Sequence, residues 1–497
     1  MPAFPAHGTV RRVPTLLLPL LLLAPFGARA QGARLTPADS ALVGRVLQAE
    51  DRGDATDAAL TEAARHGDAR VRALAARARA RITDPRFAAR DSLAPVVPAP
   101  ASPVYPEPAW RLRFRGLTAL RTDCAALTRA LGDEDWRVRL RAADLLGPSC
   151  ATAAGDVRPV LTRWIAELPT DVSRRARTGV SWHAAAHAVV ALARVAPDAA
   201  RPHTTRLAGH ASPWLRAYAV RAAAVLGDTA LLRRAVDDTD GNVRAEAIEA
   251  LARVTGHADD ALWARIATTD TMAHVVRVAA NALVGTTRTD FADGAGDAYD
   301  QRWRTRANDS ERDARQALLR AAGRDTSEEA AVRRPRGLAP ATLARAIALA
   351  LGADVRLRVT MADASGGGEF TVRLRGDQAP LMAARIAELA DAGWYDGLTW
   401  HRVEHDFVLQ GGSPAANEYV GWHTFLRDEL GTVAHPRGSV GMSTRGHDTG
   451  DAQWFVNLRD NARLARDYTV FAEVVDGMDV VDDVLEGDTI RRIQVLR

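Results

Sequence analysis

Between Trp400 and Phe471 the chain carries four short apolar runs, and this stretch restricts the fold more than any other. The first is Trp400-His401-Arg402-Val403-Glu404-His405-Asp406-Phe407-Val408-Leu409-Gln410-Gly411-Gly412. Gly438-Ser439-Val440-Gly441-Met442-Ser443, Gln453-Trp454-Phe455-Val456-Asn457 and Tyr468-Thr469-Val470-Phe471 follow. Each sets one or two polar groups among hydrophobic ones and reads as a short strand. Upstream, Val355–Met361 and Phe370–Leu374 alternate in strand fashion around the turn signal Gly366-Gly367-Gly368. Pro380 then opens a helix through Leu389, since proline suits the first helical turn. Short strands with one or two helices predict a closed β-barrel capped by helices.

In order and spacing, these runs resemble the cyclophilins, the barrel-shaped family of peptidyl-prolyl cis–trans isomerases, over residues 354–497. The resemblance implies an isomerase acting on proline-containing polypeptides, without cofactor or metal. It makes Arg402 the catalytic arginine and Gln410 the residue that orients that arginine and the substrate backbone. Phe407, Met442, Phe455 and Leu464 match positions that line the proline pocket, and Val408 replaces a methionine in its wall. Ser443 and Thr444 occupy the strand that meets the peptide main chain. Gln453 and Tyr468 complete the implied substrate-binding set. Tyr468 stands where the best-known cyclosporin-binding members carry histidine, and Arg463 where they carry tryptophan, so that drug is expected to bind weakly.

These residue types suit the chemistry. The barrier to peptide-bond rotation is about 18–20 kcal/mol and comes from amide resonance. Lowering it requires an apolar slot for the proline ring, a rigid donor for the twisted amide, and hydrogen bonds that hold one end of the peptide still. Guanidinium stays charged and presents a planar fork of donors. The competing use of the same barrel is non-catalytic, as a peptide-binding or scaffolding module with Arg402 as a salt-bridged barrel arginine.

From about Thr36 to Gly285 the pattern is helical and repetitive, with Ala, Leu and Val at three- and four-residue steps. An acidic or small turn followed by Val-Arg recurs at Asp68–Arg72, Asp135–Arg139 and Asp240–Arg244, with weaker copies ending at Arg216 and Arg277. Helix pairs at such spacing predict an all-α solenoid, and the motif resembles HEAT repeats. In this reading the aspartate caps the following helix, the valine buries against the next repeat, and the arginine pairs with a neighbouring aspartate. A concave arginine surface for acidic ligands is the functional alternative. The expected organisation is a targeting segment at 1–30, a helical repeat at 31–92, a Pro-rich linker at 93–108, a HEAT-like solenoid at 109–285, a helical connector at 286–353 and the barrel. Asp290 to Asp300 reads as a polar loop.

Residues 1–30 have the form of a cleavable signal: Arg11-Arg12, an apolar run from Leu16 to Pro25, and Ala28-Arg29-Ala30 before Gln31. They predict an exported protein, periplasmic or secreted, with no membrane span after cleavage. Export permits disulfides. Cys124 and Cys150, the only two cysteines, fall near the facing ends of two consecutive helical patterns and predict a structural bridge. Net charge is +4, yet the pI is about 9.5, because all 65 basic residues are arginine. No dense basic run accompanies that pI, so nucleic acid is not an expected partner. His183 and His187 lie four apart on one helix but lack an adjacent glutamate or an evident third ligand, so no metal site is expected.

Overall fold

A computed structural model describes residues 35–83, 103–174, 182–332, 339–431 and 433–496. The predicted signal segment and most of the Pro-rich linker lie outside these. The C-terminal part is built on eight strands: β1 (Arg356–Met361), β2 (Glu369–Leu374), β3 (Trp400–Val403), β4 (Val408–Gly411), β5 (Ser439–Met442), β6 (Trp454–Asn457), β7 (Val470–Asp476) and β8 (Ile490–Leu496). They form one sheet in the order β3-β4-β6-β5-β7-β2-β1-β8, every pair antiparallel. Alternation in β1 and β2 buries Leu357, Val359, Met361, Phe370, Val372 and Leu374 on one face. The turn near them needs left-handed backbone at Gly366, Gly367 and Gly368 (φ 86°, 66° and 94°), which side chains with a Cβ adopt only with strain. Helix Pro380–Asp391 lies against the same core.

The sheet corrects the predicted closed barrel. It is an open, strongly curled half-barrel whose edges stay 7 Å apart. The physical reason lies in the edge strands. β3 is four residues long, and among the described residues only the Gly487–Ile490 segment reaches across to Gly397–Trp400, through an isolated Thr399–Thr489 bridge. Beyond Trp400 no ladder joins β3 to β8 among the described residues.

The rest of the chain is helical, and it divides differently from the sequence expectation. Helices Pro37–Arg52, Ala58–Ala64 and Ala69–Thr83 read as the first unit of the array. They instead share one core with the sheet, where Val46, Leu47, Leu60 and Val71 join Leu357, Phe370 and Trp400. Glu50 binds Arg77 and Arg81, and Arg81 also donates to the carbonyls of Leu430 and Gln378. The helices from Ala109 to Ala321 build two further cores. There the repeated turn does what its residues dictate. Asp240 accepts from the amides of Asn242 and Val243, and Arg216 and Arg244 reach Asp238 and Asp270 of the next turn at 2.8 and 3.0 Å. Cys124 and Cys150 form a disulfide, their Cα atoms 5.4 Å apart. Residues 290–300 are helical rather than a loop: helix Thr289–Ala298 runs into a wide turn at Tyr299–Trp303, because Ala295, Ala298, Tyr299 and Trp303 find a core to fill.

Among the contacts that join the array to the sheet domain, one carboxylate is shared by both parts. Asp482 receives Arg437 of the sheet domain at 2.9 and 2.6 Å and Arg111 of the array at 3.0 Å, all three side chains being buried. Arg137 adds a bond to the Asp482 carbonyl, and His405 sits edge-on to Trp110, Phe114 and Trp136. Removing the shared acceptor strands two buried guanidinium groups, which typically costs about 3–5 kcal/mol. Asp482→Ala is therefore expected to lower the free energy of unfolding, read from urea titration, by that order.

Candidate active site

Strand register assembles the site. Arg402 of β3 lies opposite Gln410 of β4, Gln410 opposite Phe455 of β6, and Phe455 opposite Gly441 of β5. Directly paired residues project to the same face, so guanidinium, amide and phenyl ring stand in a row across three strands. Gly441 leaves room for the ring: a Cβ there would meet Phe455 Cζ at 2.3 Å.

An apolar patch closes one end of the row. Val408, Phe455 and Leu464 are buried together, with Phe407 and Tyr468 packed on their edge. The Phe455 ring stacks on His435 (centroids 6.0 Å apart) and meets Tyr468 edge-on at 5.7 Å. Phe407 lies under two guanidinium groups, Arg463 at 4.2 Å and Arg402 at 5.9 Å from its centroid. Its loop is pinned where Asn461 donates to the Phe407 carbonyl. Met442 is the departure from the expected pocket lining. Its side chain belongs to the central core and packs towards Gly450, because β5 turns that residue to the opposite face from Gly441.

The polar side of the row is a hydrogen-bonded chain. Gln410 Nε2 donates to Ser443 Oγ at 2.9 Å and Gln453 Oε1 at 3.2 Å, and Gln453 Nε2 donates to the Val420 carbonyl. Gln410 Oε1 faces Arg402 Nη1 at 3.5 Å. This fixes Gln410 as acceptor towards the arginine and donor towards the strand beyond. Thr444 follows Ser443 and is half-buried. His183 and His187 are elsewhere: His183 donates to the Glu486 carbonyl, and His187 holds Asp144 at 2.6 Å.

Two site residues escaped sequence reading. His435 is buried beneath Phe455, donates from Nε2 to the Tyr468 carbonyl, and receives Asn457 Nδ2 at Nδ1. Burial pushes its pKa down to about 4, against the opposing pull of the Tyr468 carbonyl and Asp467. Glu418 pairs with Arg402 Nη1 at 2.7 Å. Its loop is held to the helical array: Asn417 Nδ2 donates to Asn242 Oδ1, Asn242 Nδ2 donates to the Ala415 carbonyl, and Arg277 covers Tyr419 at 3.8 Å, while Arg445 of the sheet domain donates to the Glu418 carbonyl. A lone glutamate in a loop carries no periodicity, and a single His-Pro step no spacing, so neither offered a signal.

Arg402 also faces Glu404 at 3.6 Å, but the shorter Arg402–Glu418 pair is the main restraint on the guanidinium. The two side chains are 38% and 42% exposed, and ion pairs this open contribute only about 0–1 kcal/mol. A peptide carbonyl entering the site can therefore displace the carboxylate. Glu418→Gln is expected to tighten binding of an Ala-Pro peptide by up to about fivefold at low salt, the gain vanishing at high salt, as read by titration calorimetry. The neutral state of His435 gives a second expectation. Its ring resonances should stay flat from about pH 5.5 to about pH 8 and move only nearer pH 4, so peptide affinity stays constant over that range.

Comparison with known proteins agrees with this geometry. Residues 357–496 match the family model for cyclophilin-type peptidyl-prolyl cis-trans isomerases, and residues 204–284 match the model for HEAT repeats. The chain is 32% identical over 131 residues to peptidyl-prolyl cis-trans isomerase B of Bacillus subtilis (strain 168), covering 26% of this chain and 92% of that protein. It is 33% identical over 130 residues to a peptidyl-prolyl cis-trans isomerase of Helicobacter pylori (strain J99), covering 25% and 80%. It is 34% identical over 119 residues to peptidyl-prolyl cis-trans isomerase-like 1 of Rhizopus delemar, covering 23% and 72%. With an upstream HEAT-repeat region as a second component, the chain belongs through its C-terminal domain to the cyclophilin-type peptidyl-prolyl cis–trans isomerase family.

Proposed function

We propose that this protein is an exported peptidyl-prolyl cis–trans isomerase that assists the folding of other exported polypeptides, its helical array holding the client or a partner. The observation that carries this reading is the Arg402–Gln410–Phe455 row. Adjacent strands are about 4.8 Å apart, so the backbones bearing Arg402 and Phe455 are separated by about 10 Å. Two extended residues span about 7 Å. With proline on the Val408/Phe455/Leu464 patch, the preceding carbonyl comes within reach of the guanidinium.

Rotation itself needs no proton transfer. As the bond twists, resonance is lost and the proline nitrogen regains its lone pair. Arg402 donates to that nitrogen or to the neighbouring carbonyl, an interaction stronger in the twisted form than in either planar one. Gln410 holds the guanidinium from the side. Ser443 and Thr444 offer the main-chain groups that keep one end of the peptide still while the other turns.

One observation favours the non-catalytic reading, namely the Glu418 carboxylate on Arg402, which a pure recognition module would tolerate. A protease-coupled assay on a four-residue X–Pro peptide separates the two. Uncatalysed isomerisation takes tens of seconds or longer. The unaltered protein is expected to shorten it, and Arg402→Ala to reduce kcat/KM by about 10²–10³-fold with the fold intact by circular dichroism. A protein that binds X–Pro peptides but never accelerates their isomerisation is a recognition module.

A further inference from the structure

Arg402 stands on an edge strand. β3 is four residues long, and its only neighbour in the sheet order is β4. Its register shifts between Trp400 and Arg402, so Trp400 fills the core while Arg402, two residues on, turns outward to the site. Beside Trp400 the outer edge of β3 is met by the turn Leu485–Asp488. Gly487 N–H donates to the Trp400 carbonyl at 2.8 Å, and Trp400 N–H donates to the Asp488 carbonyl at 2.9 Å. We propose that the array is part of the isomerase site, with His183 and Tyr218 as positioning residues that fix Arg402 by holding this turn against β3. The catalytic consequence rests on the isomerase reading above, whereas the contact itself stands apart from it.

Three consecutive residues of the turn lie on the array. Leu485 is buried against Trp136 and Leu140 of helix Trp136–Leu145. The Glu486 carbonyl accepts from His183 Nε2 at 2.8 Å, and its carboxylate accepts from the Tyr218 hydroxyl at 2.9 Å. Gly487, at φ 84°, lies so close to Trp214 and Trp182 that a Cβ there would meet their rings at 3.1 and 3.5 Å. Asp488 closes the turn from within, its carboxylate accepting from the Leu485 amide. Tyr218 and Glu486 line one cleft with Arg402, of about 890 Å³, between the array and the sheet domain.

The array side of this contact is itself braced. Trp182 stacks on His183 with centroids 3.9 Å apart, and on Trp214 at 5.8 Å. Tyr218 is buried, and His187 Nε2 lies 3.3 Å from its hydroxyl while His187 Nδ1 holds Asp144 at 2.6 Å. Burial disfavours charge on His187, but Asp144 and Glu486 outweigh it and raise its pKa, which favours the form with both ring nitrogens donating. Hydrogen bonds then run in one direction, from His187 to the Tyr218 oxygen and from the Tyr218 hydroxyl to Glu486. The His183/His187 pair, spaced like a metal-binding helix, thus serves to seat the turn.

The kinetic consequence follows from what Arg402 does. Its interaction grows as the peptide bond twists, so its placement governs kcat more than binding. The proline patch is carried by Val408, Phe455 and Leu464, outside β3. A loosened turn therefore lowers kcat and leaves KM in place.

The test measures kcat and KM of the full chain on the four-residue X–Pro peptide, with hydrogen exchange over residues 398–402 read in parallel. Glu486→Ala and Tyr218→Phe are each expected to lower kcat about five- to tenfold, with KM held within about twofold and exchange faster. Glu486→Gln, which keeps an acceptor for Tyr218, is expected to restore kcat to within about twofold of the unaltered protein. The double variant Tyr218→Phe/Glu486→Ala should fall no further than the lower single one, because both remove the same bond. Where Glu486→Ala unfolds by circular dichroism, Tyr218→Phe is judged alone by the same criteria. An unchanged kcat, a rise in KM that accounts for the loss, or unchanged exchange overturns the proposal. An unaltered protein that never isomerises the peptide removes the isomerase reading, and exchange over 398–402 then still decides whether the array holds β3.

Discussion

Everything at the site depends on strand register. Arg402, Gln410 and Phe455 share a face only because β3, β4 and β6 pair in one alignment. A slip of one residue in any pair would send one of the three to the opposite face. Gly441 supports that alignment from the fourth strand, since any side chain there would collide with the Phe455 ring. The buried Trp400 and Trp454, which pack edge to face 5.1 Å apart beneath the row, hold it from the core side. Packing thus fixes the chemistry before any ligand arrives.

The helical region does more than sit beside this scaffold. Its buried arginine meets the Asp482 carboxylate of the sheet domain, and its Asn242 and Arg277 hold the loop that carries Glu418. The position of an acidic group next to the site arginine is therefore set by residues far away in sequence. Because the Arg402–Glu418 pair is exposed and weak, it restrains the guanidinium without sequestering it. Arg402 borders both the apolar patch and the cleft between the array and the sheet domain.

Much of this was legible in the sequence, and the limits are physical. Arg402, Phe407, Gln410 and Phe455 fall at fixed separations along strands, and the resemblance to the cyclophilins that those separations carry pointed to them. Tertiary closure is different. How β3 and β8 meet depends on curl and edge geometry that no strand pattern records, and the predicted closed barrel is an open one. Amphipathic spacing identified the helices between Pro37 and Thr83 but not their partner, because an apolar stripe of alanine, leucine and valine fits a sheet as well as a neighbouring helix. The alternation of β5 could have removed Met442 from the pocket lining, since it is adjacent to Gly441 and must face the other way. Glu418 and His435 act through contacts made only once distant segments fold together.

The account turns on Arg402 weakening a proline peptide bond while the ring rests on Phe455, and the most direct test observes that bond. Exchange spectroscopy on an Ala-Pro peptide resolves the cis and trans resonances and reads their interconversion in the presence of trace protein. Cross-peaks between the two forms, appearing with the protein and abolished by a competitor that fills the Val408/Phe455/Leu464 patch, are the predicted result. Peptide resonances that broaden on binding while cis and trans remain unlinked would contradict the account.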